Sequence, residues 1–492
     1  MQERTLPLWW DHMAVKRLSA PTRRAVAAGI AATLVYRPGT AGSQPASGSS
    51  QPITPQGDAW RTLVAAPTKV RLLPEPAPET DVWAFDGRVP GPVIRVRHGD
   101  EVRVRLVNQT ERPLALHWHG VRNANIMDGV GGLTQEPVAP GKSFDCRFTP
   151  PDHGTFLVRP LVVGGSSELA ERGLSALLIV DEREPPKVDQ DIALVIDDWR
   201  LAEDGALAPF GTLAEASTSG RLGNRLTINA KGAPEAIEVA PGSRIRLRLA
   251  NACNARSMRI RFDDMKVYVA AIDGQPTDTF EPLRSTLPFS PGSRYDLMLD
   301  VPSEARSAGS IVALLGQAQQ GTPLVTLAAS GERLSRPALP PIAPLPGNKL
   351  LPPEVRLQNA VRRDVAISGG ATRGPDGALA FKGDPARIWT INGASGAPGS
   401  SPLLSVKRGS PVVLAITNQT PTNQPIHLHG HVFRLLHPRD DGWEPYWLDT
   451  LQIPENKTVQ IAFIADNPGK WALSSTVLER FDTGLWTWFE VT

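Results

Sequence analysis

His117-Trp118-His119 and His427-Leu428-His429 repeat one pattern, a histidine on either side of a large apolar residue, near opposite ends of a 492-residue chain. Residues two apart project from the same face of an extended strand, so each pair delivers two imidazoles in one direction. Two such strands facing each other would aim four imidazoles into one pocket. Imidazole suits copper, zinc, iron and nickel, so the spacing does not name the metal. The alternative for each segment is an ordinary strand end with packed, hydrogen-bonded histidines. Against that, the chain has only nine histidines, and four of them fall in these two near-copies. Asp128 follows the first pair within Met127-Asp128-Gly129. A carboxylate there would orient a histidine or tune a metal-bound water, which makes it the one catalytic candidate. As a cap for the turn before Gly129 it would do neither, and this turn role carries the larger share.

Strands must carry these residues. Val93-Ile94-Arg95-Val96-Arg97 and Val102-Arg103-Val104-Arg105-Leu106 alternate at period two, the mark of half-buried strands. The pattern returns over residues 241–249 and 406–418. A unit of strand, short glycine turn, strand and asparagine thus occurs three times, ending at Asn108, Asn251 and Asn418, an internal repeat of one β-sandwich. The length agrees with about three domains of about 100 to 200 residues each. The units lapse at residues 182–186 and at the proline-rich run 336–346, which reads as a stiff linker. The expected organisation is an export signal and linker over 1–56, domains over 57–184 and 185–335, a linker over 336–353 and a third domain over 354–492. Helix should be scarce, with one short turn over 168–173.

Further motifs accompany the histidines. They are Trp83-Ala84-Phe85-Asp86-Gly87-Arg88-Val89-Pro90-Gly91-Pro92, Leu116-His117-Trp118-His119-Gly120, Met127-Asp128-Gly129-Val130, Thr134-Gln135 and Pro140-Gly141. Near the other end stand Gln424-Pro425-Ile426-His427-Leu428-His429-Gly430-His431 and Asn467-Pro468-Gly469-Lys470-Trp471. Together they resemble the three-domain multicopper oxidases, the superfamily of laccases, bacterial cuprous oxidases and bilirubin oxidases, from about residue 60 to the end. The resemblance implies an all-β fold of three consecutive cupredoxin-like Greek-key β-sandwich domains, with copper as cofactor. It also implies that His117 and His427 occupy the two positions of the third copper of the family's trinuclear cluster, and that His119 and His429 retain one position on each of the other two.

The departures from the family pattern carry equal weight. Its second His-x-His of the first domain follows a Gly-Thr-aromatic strand, but Gly154-Thr155-Phe156 leads here to Arg159 and Leu161. In the last domain Ser474-Ser475-Thr476 stands for His-Cys-His, Arg480 for the next blue-copper histidine, Leu485 for the axial methionine and Gln424 for the first blue-copper histidine. A blue copper needs a thiolate and two imidazoles. The resemblance therefore implies a degenerate member without blue copper, with reduced copper stoichiometry and without four-electron reduction of dioxygen. Its expected metal ligands are His117 and His427, with His119 and His429 secondary, holding one copper or alternatively zinc between domains one and three. Arg159 brings a permanent cation towards such an ion, and four packed relics holding no metal are the opposing expectation.

Thr22-Arg23-Arg24, the apolar residues 25–36 and the Gly/Ser/Gln/Pro-rich residues 39–55 follow one another as in a twin-arginine export signal. The apolar run is shorter than the about 18 residues of a membrane span. A periplasmic protein that is not integral to the membrane is expected. Cys146 shares a strand face with Phe144 and Phe148, and Cys253 lies in a different domain, so two free thiols are expected. The net charge is +2 without a basic run, and Arg244, Arg246 and Arg248 read as the solvated face of one strand. Nucleic acid is therefore not an expected partner. Phosphate-binding loop, Gly-x-Ser-x-Gly elbow and Cys-x-x-Cys motifs do not occur. Two functions remain open: an envelope scaffold or binding protein with a protein partner and no laccase activity, and an unconventional copper-dependent oxidoreductase using only the retained histidines.

Overall fold

The computed structural model describes residues 59–304, 307–316, 318–374, 377–437 and 442–492. The twin-arginine segment lies outside them. The architecture is all-β, three consecutive cupredoxin-like sandwiches. The first pairs a sheet of Thr80–Phe85, Arg61–Val70, Val102–Asn108 and Ser143–Phe148 with a sheet of Ile94–Arg97, Ala176–Asp181, Gly154–Pro160 and Leu116–His119. The middle unit packs a seven-stranded sheet on a five-stranded one. The third sets Trp389–Ile391, Val361–Gly369, Ser410–Asn418, Thr458–Ala465 and Arg434–Leu435 against Ser405–Val406, Trp486–Val491, Gly469–Ser475, Gln424–Leu428 and Thr450–Ile453.

The repeat seen in the sequence is a repeat of topology and of hydrogen bonding. In each unit the opening strand runs parallel to the strand that ends in asparagine: Arg61–Val70 beside Val102–Asn108, Gln190–Trp199 beside Arg244–Asn251, and Val361–Gly369 beside Ser410–Asn418. Asn108, Asn251 and Asn418 are fully buried. Each donates its amide to at least two backbone carbonyls and accepts the N–H two residues on, closing an Asx turn. Thr110 and Thr420 add a hydroxyl bond to their asparagines. Cys253 holds the equivalent place in the middle unit, a buried free thiol like Cys146.

Two expectations need correction. Arg244, Arg246 and Arg248 are buried rather than solvated. Alternation does put them on one face, but carboxylates on the neighbouring strands of their own sheet, with Glu182 of the first domain, occupy that face. Arg246 meets Glu182 and Asp296, Arg248 meets Asp191 and Asp296, and Arg244 meets Asp300. The short helix spans Ser166–Glu171, earlier than 168–173. Asp482, from the third unit, fixes its start by accepting the N–H groups of Ser166 and Ser167 at 2.8 Å each, a carboxylate on the orphan donors of a helix N-terminus.

Candidate metal centre

The two histidine strands face each other because the first and third units are latched around them. Asn125 Nδ2 donates to the Lys470 carbonyl (2.6 Å) and Asn467 Nδ2 to that of Asn123 (2.8 Å). Val130 and Leu161 share an apolar cluster with Leu478, Phe481 and Trp486. Within the first unit, the loop carrying Asp128 lies directly on the histidine strand. Gly129 makes this approach (φ +78°), since a Cβ there would collide with the Leu116 carbonyl. All four imidazoles are buried, and their ring centroids are 3.8 Å apart for His119 and His427, 4.4 Å for His117 and His429, and 5.7 Å for His117 and His427. Ligand atoms of His117, His119 and His427 lie within 4.8 Å of one another, as do those of His117, Asp128 and His429.

Hydrogen bonding divides the four into two kinds. His117 Nδ1 lies 2.7 Å from the Asp128 carbonyl and His427 Nδ1 lies 2.9 Å from the Asp449 carbonyl. A carbonyl only accepts, so each Nδ1 carries the proton and each Nε2 presents a lone pair. Among the described residues neither Nε2 has a hydrogen-bond partner. His119 is engaged on both sides. The Arg159 guanidinium, which only donates, lies 3.3 Å from its Nδ1, so Nε2 holds the proton and donates to Thr450 Oγ1 at 3.0 Å. His429 Nδ1 donates to the Asp128 carboxylate at 3.0 Å, leaving Nε2 to accept the Ser474 hydroxyl at 3.0 Å. Asp128 therefore does not cap its turn with its side chain. The backbone closes that turn, Asp128 N–H to Asn125 O, and the carboxylate orients His429.

Electrostatics keep the His117, His119 and His427 imidazoles neutral. Burial, then the neighbouring His429, lowers His427 to about 4. Burial and adjacent rings likewise hold His117 and His119 well below the usual histidine range, with Arg159 adding to the depression. Burial opposes ionisation of Asp449, but the Arg294 guanidinium at 2.6 Å and the His427 imidazole outweigh it and hold this carboxyl well below its ordinary value. Thr450, Asp449 and Arg294 were not singled out from the sequence, and Ser474 only as the residue in place of a family histidine. Strand register sets His427 beside both Thr450 and Ser474.

Gln424, Ser475, Arg480 and Leu485 form a second neighbourhood. Arg480 Nη1 donates to Gln424 Oε1 (2.6 Å) and to the Asn423 carbonyl (2.7 Å), Nη2 donates to the Thr218 carbonyl (2.8 Å), and the guanidinium lies over the Trp389 ring at 5.0 Å. Leu485 N–H bonds the Arg480 carbonyl and Ser475 N–H bonds that of Leu485. These side chains offer an amide, a hydroxyl, a guanidinium and an apolar group. They do not fit a thiolate-bound copper. By contrast, the orphaned Nε2 atoms of His117 and His427 fit a metal ion that takes imidazole.

Family models described as multicopper oxidase match residues 67–185, 191–330 and 372–492. The multicopper oxidase MmcO of Mycobacterium tuberculosis is 27% identical, covering 82% of each chain. The crystal structure of a multi-copper oxidase from Pseudomonas thermotolerans superposes with a TM-score of 0.76 at 31% identity, over 88% of this chain and 99% of that one. One from Pseudomonas parafulva gives 0.75 at 32% identity, over 88% and 100%. With the fold, the histidine strands and these matches in agreement, the chain belongs to the multicopper oxidase family.

Proposed function

We propose that this protein is an envelope member of the family without conventional laccase activity, which holds one copper or zinc ion through Nε2 of His117 and Nε2 of His427 and works as a scaffold or binding protein. The observation that carries the reading is the pair of buried Nε2 lone pairs, one from each end of the chain, each on an imidazole anchored through Nδ1 to a backbone carbonyl. Anchoring of the far nitrogen is how proteins orient metal-binding histidines. His119 and His429 are secondary ligands in this reading: His429 Nε2 is released from Ser474 when the ion recruits it, whereas His119 must part from Thr450 and also move its proton to Nδ1, away from Arg159. Asp128 fixes the His429 ring and holds His117 through its carbonyl. A bound copper would supply a Lewis-acidic or one-electron centre.

The hydrogen-bonded Arg480 and Gln424, with Ser475 beside them, support the loss of blue copper and, with it, a reduced copper stoichiometry and the loss of dioxygen reduction by the family's route. The proposed division is 57–184, 185–335 and 354–492, joined in part by a proline-rich linker over 336–353, with residues 1–56 as export signal and leader. Export by the twin-arginine route places the protein in the periplasm with an envelope protein as partner. Among the described residues no helix is long and apolar enough to cross a membrane.

A copper-dependent oxidoreductase is the second reading, favoured by the carboxylate of Asp128 within reach of His117 and His429. Elemental analysis, an absorption spectrum and oxygen uptake with phenols or ferrous ion separate the cases. One bound ion, no intense visible band and no oxygen uptake are expected. Copper-dependent oxygen uptake would replace the scaffold reading with the second, and a thiolate-to-copper band would refute both.

A further inference from the structure

Most buried guanidiniums in this protein face carboxylates. Arg246 has Glu182 and Asp296, Arg248 has Asp191 and Asp296, Arg294 has Asp449, Arg221 has Glu171, and Arg122 has Asp152. Arg159 and Arg480, 4% and 2% exposed, form no ion pair among the described residues. For Arg480 the compensation is visible, since carbonyl and amide oxygens ring the guanidinium and Trp389 stacks on it. Arg159 has no such shell. Among the described residues its hydrogen bonds are to His119 Nδ1 at 3.3 Å and the Thr476 carbonyl at 3.4 Å, both long beside the usual about 2.9 Å, and its Nε has no partner there. Thr476 Oγ1, on the residue whose carbonyl Arg159 touches, is also buried without a partner.

We propose that Arg159 and Thr476 form a binding site for a small monovalent inorganic anion of halide size, held by the Arg159 Nε–H and the Thr476 hydroxyl where the first and third domains meet. Both orphaned groups can donate, and one belongs to a permanent cation. A buried cation without a paired carboxylate is strongly penalised, and the nearby Asp449 is already paired with Arg294 at 2.6 Å. A water molecule would satisfy the donors but not the charge. Both residues are buried, Arg159 at 4% and Thr476 at 0% exposure, which favours a small, weakly hydrated anion over sulfate or phosphate. The site does not depend on any metal at the histidines.

The test uses the full chain stripped of metal with a chelator. Thermal unfolding is followed in sodium chloride and sodium bromide, with sodium gluconate holding ionic strength constant. The wild type should gain about 2 °C or more as halide rises from about 10 to about 300 mM, and Arg159→Leu should show no gain. Should Arg159→Leu fail to fold, wild-type crystals soaked in bromide should give an anomalous peak within hydrogen-bond reach of Arg159 Nε and Thr476 Oγ1. A halide-independent wild type, an equal gain in Arg159→Leu, or bromide bound only elsewhere would overturn the proposal. A peak at Arg159 without any thermal response would mark an adventitious ion only, and would overturn it too.

Discussion

Replacing His117 and His427 together by alanine separates a metal pair from two packed imidazoles. In the absence of metal His117→Ala leaves the buried Asp128 carbonyl without its Nδ1–H donor, whereas after His427→Ala the Asp449 carbonyl keeps the Leu428 N–H. The first loss costs about 1–3 kcal/mol, and the cavities at both positions add to it. The double variant should therefore be less stable before any metal is added, and that loss alone proves nothing. The diagnostic quantity is the gain on adding metal. A ligand that binds only the folded state stabilises it by about 2.7 kcal/mol at a hundredfold excess over its Kd. At about 2 °C per kcal/mol for a large chain, the wild type should rise by about 5 °C with copper or zinc. The double variant should not rise. Calorimetry on chelator-stripped protein, with metal content measured on the same samples, reads both quantities. An equal rise in the two proteins, or less than about a tenth of an equivalent bound by the wild type under saturating conditions, would refute the assignment.

Three further outcomes follow from named contacts. Ser474→Ala removes the hydroxyl that occupies His429 Nε2, freeing a third imidazole, and copper should bind about tenfold more tightly, about 1.4 kcal/mol, in a competition titration; weaker binding would count against His429 as a secondary ligand. Arg246→Ala leaves the buried Glu182 without its arginine, while Asp296 keeps Arg248, and should cost about 3 kcal/mol in urea unfolding, whereas a loss under about 1 kcal/mol would mean the network contributes little. Burial holds Glu479 at about 7 against an ordinary 4.5, so the folded chain keeps a proton that the unfolded chain releases, and stability falls as pH rises between those values. Glu479→Gln should match the wild type near pH 4 and exceed it by about 3 kcal/mol near pH 8, and parallel pH profiles would sink this account.

Local pattern carried the fold because each sandwich repeats its own instructions. Period-two alternation marked Val102–Asn108, and the asparagine at its end became a buried Asx turn in all three units. What alternation does not carry is the identity of the surface laid over a face. Arg244, Arg246 and Arg248 do share one, but Glu182 of the first unit and Asp191 and Asp296 of the second cover it. Three arginines in alternation look the same whether the opposing layer is water or carboxylate. Only the packing of one sandwich on another decides between them, and that contact joins residues far apart in the chain.

The same limit applies more sharply at the metal centre. Four histidines were legible as a group, yet their chemistry depends on which nitrogen is free. His117 and His119 sit two residues apart on one strand, but one meets a carbonyl and the other a guanidinium. The free lone pair goes to the first histidine of each pair, so each strand contributes one ready ligand and one engaged one. A single strand therefore offers only one ready imidazole to an ion. The two-ligand set exists only when the first and third sandwiches are docked, which ties any metal affinity of this protein to the integrity of that interface. A substitution at the latch, such as Asn467→Ala, should therefore weaken metal binding without touching a ligand. Metal affinity unchanged by a loosened interface would mean that the ion is held elsewhere.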